Sequence, residues 1–398
     1  MPNPSRASAW PLPQPTPSLA WLAAGLFWLG VGFVGWKTSG WVTSDYREFL
    51  LPWYDFILEH GRFGAFALDF SNYTPPYLYL ISLGTLFDGL ASPLAIIKAI
   101  SVLATLLAAW PAARIARRCG LSSPAALLAA LVFCGLPEVV LNAVAWAQCD
   151  IIYTGFLLGF ALAVMQRRGA LAMLMLGLAF AFKLQTVLAG PVVLYLLLVG
   201  VLRWWQVLVV PATYLVMMLP AALAGRPLPA LLTIYLQQFD YYQFLSMNAP
   251  NPWMLVDLLL PGHYALGTRL GLGLAAVGGL GLVWACLRCG RHPAPATLLL
   301  MLTASLALLP FLLPKMHERY FFPAACFGYL LAVARPALWP VAVLLQLANV
   351  ITYRAFLLGR YEANWASVLP MTLAVALLLR ALWREPRRVP EPVALGSG

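Results

Sequence analysis

The sequence predicts an all-α polytopic membrane protein, and three observations carry that prediction. Charged residues make up only 10% of the 398 while hydrophobic residues reach 62%, against about 25% charged and about 45–50% apolar in soluble domains. The apolar runs are long and unbroken, with a mean hydropathy of +0.82. They lack the period-2 alternation of barrel strands, which leaves helices as the way to satisfy a backbone in lipid. The basic residues that give a net charge of +11 fall in short clusters between apolar runs, as cytoplasmic loops carry them. No basic stripe with interleaved aromatics forms a nucleic-acid footprint, so that partner class is excluded.

In chain order, residues 1–17 are polar and proline-rich, with Arg6 as the one charge, and read as a cytoplasmic tail. Ser18 to Trp36 is long enough to cross a hydrocarbon core of about 30 Å at about 1.5 Å per residue. Lys37 to Pro76 is the least hydrophobic stretch. It holds Asp45, Arg47, Glu48, Asp55, Glu59, Arg62 and Asp69, and must be solvated. Tyr77 to Leu90 is apolar but too short to span and is expected to lie in the interface, so the first external loop runs over 37–92. Pro93 to Ala113 crosses and ends in Arg114, Arg117 and Arg118, which the interfacial placement of 77–90 puts inside. Further spans are expected near 122–140, 150–166, 169–182, 186–202, 204–224, 268–287, 295–313, 321–334, 337–357 and 366–383. Arg167/Arg168, Arg203, Arg288/Arg291, Arg335 and Arg384/Arg387/Arg388 are then all cytoplasmic. The result is about twelve spans by the positive-inside rule, one domain over 18–384, a tail over 385–398 and both termini inside. No internal repeat suggests inverted halves.

The cysteines do not suggest redox chemistry. Cys134, Cys149 and Cys326 sit in or beside apolar runs as packing residues. Cys286, Cys289 and His292 lack the fourth ligand that a structural zinc needs, and no metal site is assigned.

Ionisable residues at membrane depth are functional candidates because each is costly to insert. Lys183, in GLAFAFKLQT with Gln185 beside it, joins two short apolar runs on the external side. The string LPKMHERYFFP places Lys315, His317, Glu318, Arg319 and Tyr320 in a short external turn. External loops usually shed positive charge, so these cations call for an anionic ligand. In the acidic loop, Ser44 is expected to cap a helix that starts at Asp45. Asp150, in WAQCDIIY, opens another pair of spans and is either a cap or a site residue. All these loci share the external face. Carboxylates beside cations describe a site that takes a proton from one partner and stabilises an anion on another.

These strings resemble the GT-C superfamily of integral-membrane glycosyltransferases, in particular its bacterial, GPI-mannosyltransferase-like members. SDYREFLLPWYDF is similar to the first external loop, and by that likeness Asp45 is the catalytic base. NYTPPYLYL, with Tyr73, is similar to the juxtamembrane helix of that loop. WAQCD followed by GLAFAFKLQ is similar to the paired short spans whose lysine faces the lipid phosphate, and KMHERYFFP to the later loop that helps bind the donor. The likeness runs in order over about 280 residues. Asp45 is followed by Tyr46, Arg47 and Glu48 rather than by a paired acid. A second acid is therefore Glu48, Asp69 or absent, and a divalent metal is left open while no other cofactor is expected.

The resemblance implies an inverting transfer of mannose or a similar sugar from a polyprenyl-phosphate donor to an acceptor hydroxyl of a glycan, glycolipid or protein, on the outer face. Lys183, Gln185, His317 and Arg319 would meet the donor phosphate, and membrane lipids are the surroundings. A twelve-span secondary transporter or lipid-linked saccharide flippase is the alternative. It fits less well with the long acidic loop, the short paired spans and the scarcity of midplane charge.

Overall fold

The fold follows from helices of two lengths, long ones that can cross a bilayer and short ones that the long ones enclose. The computed structural model describes residues 17–239 and 243–386. Its helices are α1 (Pro17–Thr38), α2 (Leu51–His60), α3 (Pro75–Gly84), α4 (Pro93–Arg118), α5 (Ser123–Cys134), α6 (Pro137–Val140), α7 (Asp150–Met165), α8 (Gly169–Phe182), α9 (Gly190–Leu198), α10 (Val209–Ala224), α11 (Leu228–Phe239), α12 (Pro252–Leu259), α13 (Tyr264–Leu287), α14 (Pro295–Leu312), α15 (Phe322–Ala334), α16 (Trp339–Leu358) and α17 (Val368–Trp383). Of the expected tails, residues 1–16 and 387–398 lie outside the described residues.

Among the described residues, six helices are long and apolar enough to cross a membrane, or seven if α5 and the α6 segment count as one span bent by 47°. The bend has a cause in the sequence: Gly135, Leu136 and Pro137 interrupt the helix. A Cβ at Gly135 would stand 2.4 Å from the Phe27 ring of α1, so glycine lets the two helices approach at the bend. Helix α7 has only 16 residues but is buried along most of its length between α4 and α8. An all-apolar helix of that kind belongs inside a bundle. Helix α8, with 14 residues, and the broken segment of a 3-10 turn at Leu184–Ala189 plus α9 are likewise shorter than a simple span. The spans expected from the sequence leave 225–267 unassigned, and α11 and α12 occupy part of it.

The expected interfacial segment 77–90 is α3 followed by a 3-10 turn at Thr85–Phe87. The polar segment that precedes it is tied to it. Arg62 Nε and Nη2 donate to the Thr85 hydroxyl and carbonyl at 2.9 Å each, Ser82 Oγ donates to the Arg62 carbonyl at 2.9 Å, and Tyr54 donates to Asp88 at 2.9 Å. A two-residue parallel ladder, β1 (Ser246–Met247) on β2 (Met316–His317), fastens the turn after α14.

Candidate active site

Asp45 stands at the start of a short helical segment whose cap is not the one expected. Thr43, rather than Ser44, accepts the Tyr46 N–H on its hydroxyl at 3.3 Å. Both hydroxyls suit a cap, and the chain direction selects Thr43, which is buried. One oxygen of Asp45, Oδ2, accepts from Trp146 Nε1 at 2.9 Å and Gln148 Nε2 at 2.8 Å, and lies 3.4 Å from Arg319 Nη2. Among the described residues no hydrogen bond reaches Oδ1.

The donors are themselves held. Trp146 is fully buried and stacked on Phe356 at 4.1 Å. Arg319 donates to Gln148 Oε1, lies over the Trp146 ring at 5.1 Å and has Glu318 Oε1 at 3.6 Å from its Nε. Ala147 (φ 65°) and Lys315 (φ 60°) adopt the left-handed conformation that non-glycine residues avoid. Both sit in the turns that deliver these side chains, where such strain tends to cluster.

The second centre is Lys183, 7% exposed at the C-terminal end of α8. Its ammonium pairs with Asp150 and faces the rings of Tyr73 at 5.6 Å and Tyr153 at 5.8 Å. Burial would lower its pKa, but the Asp150 carboxylate outweighs that and raises it, so Lys183 stays charged. Asp150 also accepts from Asn142 Nδ2 at 2.9 Å. Its side chain therefore caps nothing; the capping alternative gives way to a buried ion pair. Asp69 is likewise paired, with Arg226 Nη2 at 2.5 Å, a partner 157 residues away in the chain.

A cavity of about 840 Å³ joins the two centres. Asp45, Glu48, Asp69, Tyr73, Lys183, Gln185, Lys315, His317, Arg319 and Tyr320 all line it. Asp150 and Glu318 stand behind the lining, each against a lining cation. Glu48 is exposed at the mouth. Burial, then the nearby Arg319 and Lys183, push the His317 pKa well below its ordinary value, so the imidazole is neutral and offers hydrogen bonds rather than charge. Burial pushes the Glu318 carboxyl up to about 7 against the opposing pull of Arg319. The other arm of the cavity is apolar, with Phe182, Leu184, Leu188, Ile234 and Leu313. It reaches the outer surface at Val187, 50% exposed, and Leu272 on α13, 44% exposed. Among the described residues, no group of three or more His, Cys, Asp or Glu side chains could hold a metal ion. Trp146, Gln148 and Asn142 complete the site, and none was a sequence candidate although WAQCD contains the first two.

Comparison with known proteins agrees with this architecture. A family model described as alpha-(1->6)-mannopyranosyltransferase, N-terminal domain, matches residues 70–199. That stretch carries Tyr73, Asp150, Lys183 and Gln185 but neither Asp45 nor the 315–320 turn. No curated protein matches the chain. Among solved structures, the chain is similar to ArnT from Cupriavidus metallidurans bound to undecaprenyl phosphate. The TM-score is 0.54 over 92% of this chain and 75% of that chain, at 16% sequence identity. The chain shares the fold of ArnT, and its long apolar helices make it a multi-pass α-helical membrane protein.

Proposed function

We propose that the chain is an inverting glycosyltransferase that moves a sugar from a polyprenyl-phosphate donor to an acceptor hydroxyl on the external side of the membrane. The observation that supports this best is the single cavity in which a half-satisfied carboxylate and buried cations meet beside an apolar arm open to the surface. Two hydrogen-bond donors and the Arg319 guanidinium converge on Asp45 Oδ2, which leaves Oδ1 to accept the acceptor's hydroxyl proton. As that proton moves, the acceptor oxygen bonds to the anomeric carbon and the bond from that carbon to the phosphate oxygen breaks. The phosphate leaves as an anion, so no general acid is needed, unlike the two-carboxylate glycosidases. Lys183 and Arg319 offset its charge from a low-dielectric wall, where fixed charges act strongly. His317 donates a hydrogen bond, and Gln185, Lys315 and Tyr320 complete the phosphate side. Phe182, Leu184 and Leu188 suit the start of a polyprenyl chain that leaves toward lipid at Val187 and Leu272. The similar fold of ArnT bound to undecaprenyl phosphate and the mannosyltransferase model over 70–199 support the same choice of donor and make mannose the first sugar to test.

The test is direct. Purified protein in lipid nanodiscs is given a synthetic polyprenyl-phosphate mannose, then other sugars, and released polyprenyl phosphate is measured. Wild type should release it, and Asp45→Asn should be slower by about 10²–10⁴-fold, the usual contribution of a positioned base. Release by Asp45→Asn at the wild-type rate would remove Asp45 from that role.

A further inference from the structure

Lys98 is a charge in the second turn of α4, only 5% exposed, and no carboxylate pairs with it among the described residues. Its ammonium instead donates to three main-chain carbonyls: Thr38 at 3.1 Å, Ser39 at 2.7 Å and Trp41 at 2.9 Å. An ammonium has three N–H donors, so each is used. Those carbonyls end α1 and begin the link to Asp45. The last C=O groups of a helix lack intrahelical partners and carry the negative end of its dipole, so a cation is well placed there. Three residues further along α4, Ser101, fully buried, donates to the Gln148 carbonyl at 2.6 Å. Residues three apart share one helix face. The two segments tied to that face are the ones whose side chains meet at Asp45 Oδ2.

We propose that Lys98 and Ser101 are positioning residues: one face of α4 sets the Asp45 carboxylate against the Gln148 amide by holding both main chains. The inference rests on Asp45 being the base. Besides Lys98, the link is tied across to the Trp146–Gln148 segment by the Thr43 hydroxyl on the Trp146 carbonyl, at 3.5 Å. Losing the α4 tether therefore loosens the Asp45 side of the site. The Lys183–Asp150 pair does not involve α4, so the donor's phosphate keeps its main anchor.

Lys98→Met, Lys98→Arg and Ser101→Ala in nanodiscs test this, with kcat, donor KM and hydrogen exchange of the amides of residues 39–48 as readouts. Lys98→Met should lower kcat about 100-fold, the effect of about 1 Å of misplacement, with donor KM within about threefold and faster exchange confined to 39–48. Lys98→Arg keeps charge and donors and should recover most of kcat, and Ser101→Ala should cost about tenfold by the same positioning effect. Wild-type kcat in Lys98→Met overturns the proposal. So does a parallel loss of kcat, donor binding and folded protein that Lys98→Arg does not rescue, since that marks a purely structural lysine. If Lys98→Met does not fold, Ser101→Ala decides: wild-type kcat there overturns the proposal. If Asp45→Asn is as fast as wild type while exchange over 39–48 still rises in Lys98→Met, the tether stands and the assignment of the base falls.

Discussion

Lys183→Met and Asp150→Asn should each destabilise the protein more than the two substitutions together. Lys183 is 7% exposed and Asp150 fully buried, and their side chains pair directly. After Lys183→Met, Asp150 keeps only the Asn142 amide at 2.9 Å. After Asp150→Asn, Lys183 keeps the faces of Tyr73 and Tyr153, each worth about 0.5–2 kcal/mol. Removing one side of a buried pair costs about 3–5 kcal/mol because the other charge is stranded. The aromatic faces offset part of that for Lys183, so the loss should be near 3 kcal/mol for Asp150→Asn and about 4 kcal/mol for Lys183→Met. The double variant strands no charge and should lose about 1–2 kcal/mol, the scale of a buried hydrogen bond. The coupling is then about 5–6 kcal/mol, read from a double-mutant cycle of reversible unfolding in mixed micelles. Single losses that add in the double variant to within about 0.5 kcal/mol would refute the pairing. Turnover supplies an opposite-sign check. Lys183→Met should raise donor KM, whereas Asp150→Asn frees the ammonium and should lower it; a wild-type donor KM in Lys183→Met would remove the lysine from the phosphate.

The remaining predictions concern pH and access. The folded state holds the Glu318 proton up to about pH 7, above the ordinary 4.5 of a glutamate. The penalty of burying that carboxylate therefore develops as pH rises from about 4.5 to 7 and is constant above. Wild-type stability should carry this fall, and Glu318→Gln should lack it; the same pH dependence in both would reassign the titration. Ionised Glu318 also neutralises Arg319, so wild-type donor KM should rise above about pH 7 and stay flat in Glu318→Gln. A flat wild-type profile rejects that coupling. Val187→Trp, at the half-exposed wall of the apolar arm, should raise KM for long polyprenyl donors and spare a short-chain analogue. Equal effects on both would place the tail elsewhere.

The membrane architecture was legible because lipid constrains composition so strongly, and the charges expected on one face converge on one cavity. Pairing was not legible. Asp150 and Lys183 stand 33 residues apart and Asp69 and Arg226 157 apart, distances that only tertiary packing closes. Lys98 obeys the same rule of costly intramembrane charge that singled out Lys183, but it was absorbed into the span 93–113. Trp146 and Gln148 are uncharged, so the cost of burying charge marks neither of them. Adjacent Thr43 and Ser44 are equal as caps by type, and the chain direction at the helix start chose between them. Helices α11 and α12 went unseen because, at 12 and 8 residues, they are too short to read as membrane spans.

The opening at Val187 and Leu272 has a kinetic consequence. A ligand that enters sideways is supplied by diffusion in a plane, and its effective concentration is a number per area of bilayer rather than per volume. Saturation should then follow the mole fraction of donor among the lipids. Diluting a vesicle suspension with buffer would leave the rate per protein unchanged, and fusing the same vesicles with donor-free ones would slow it.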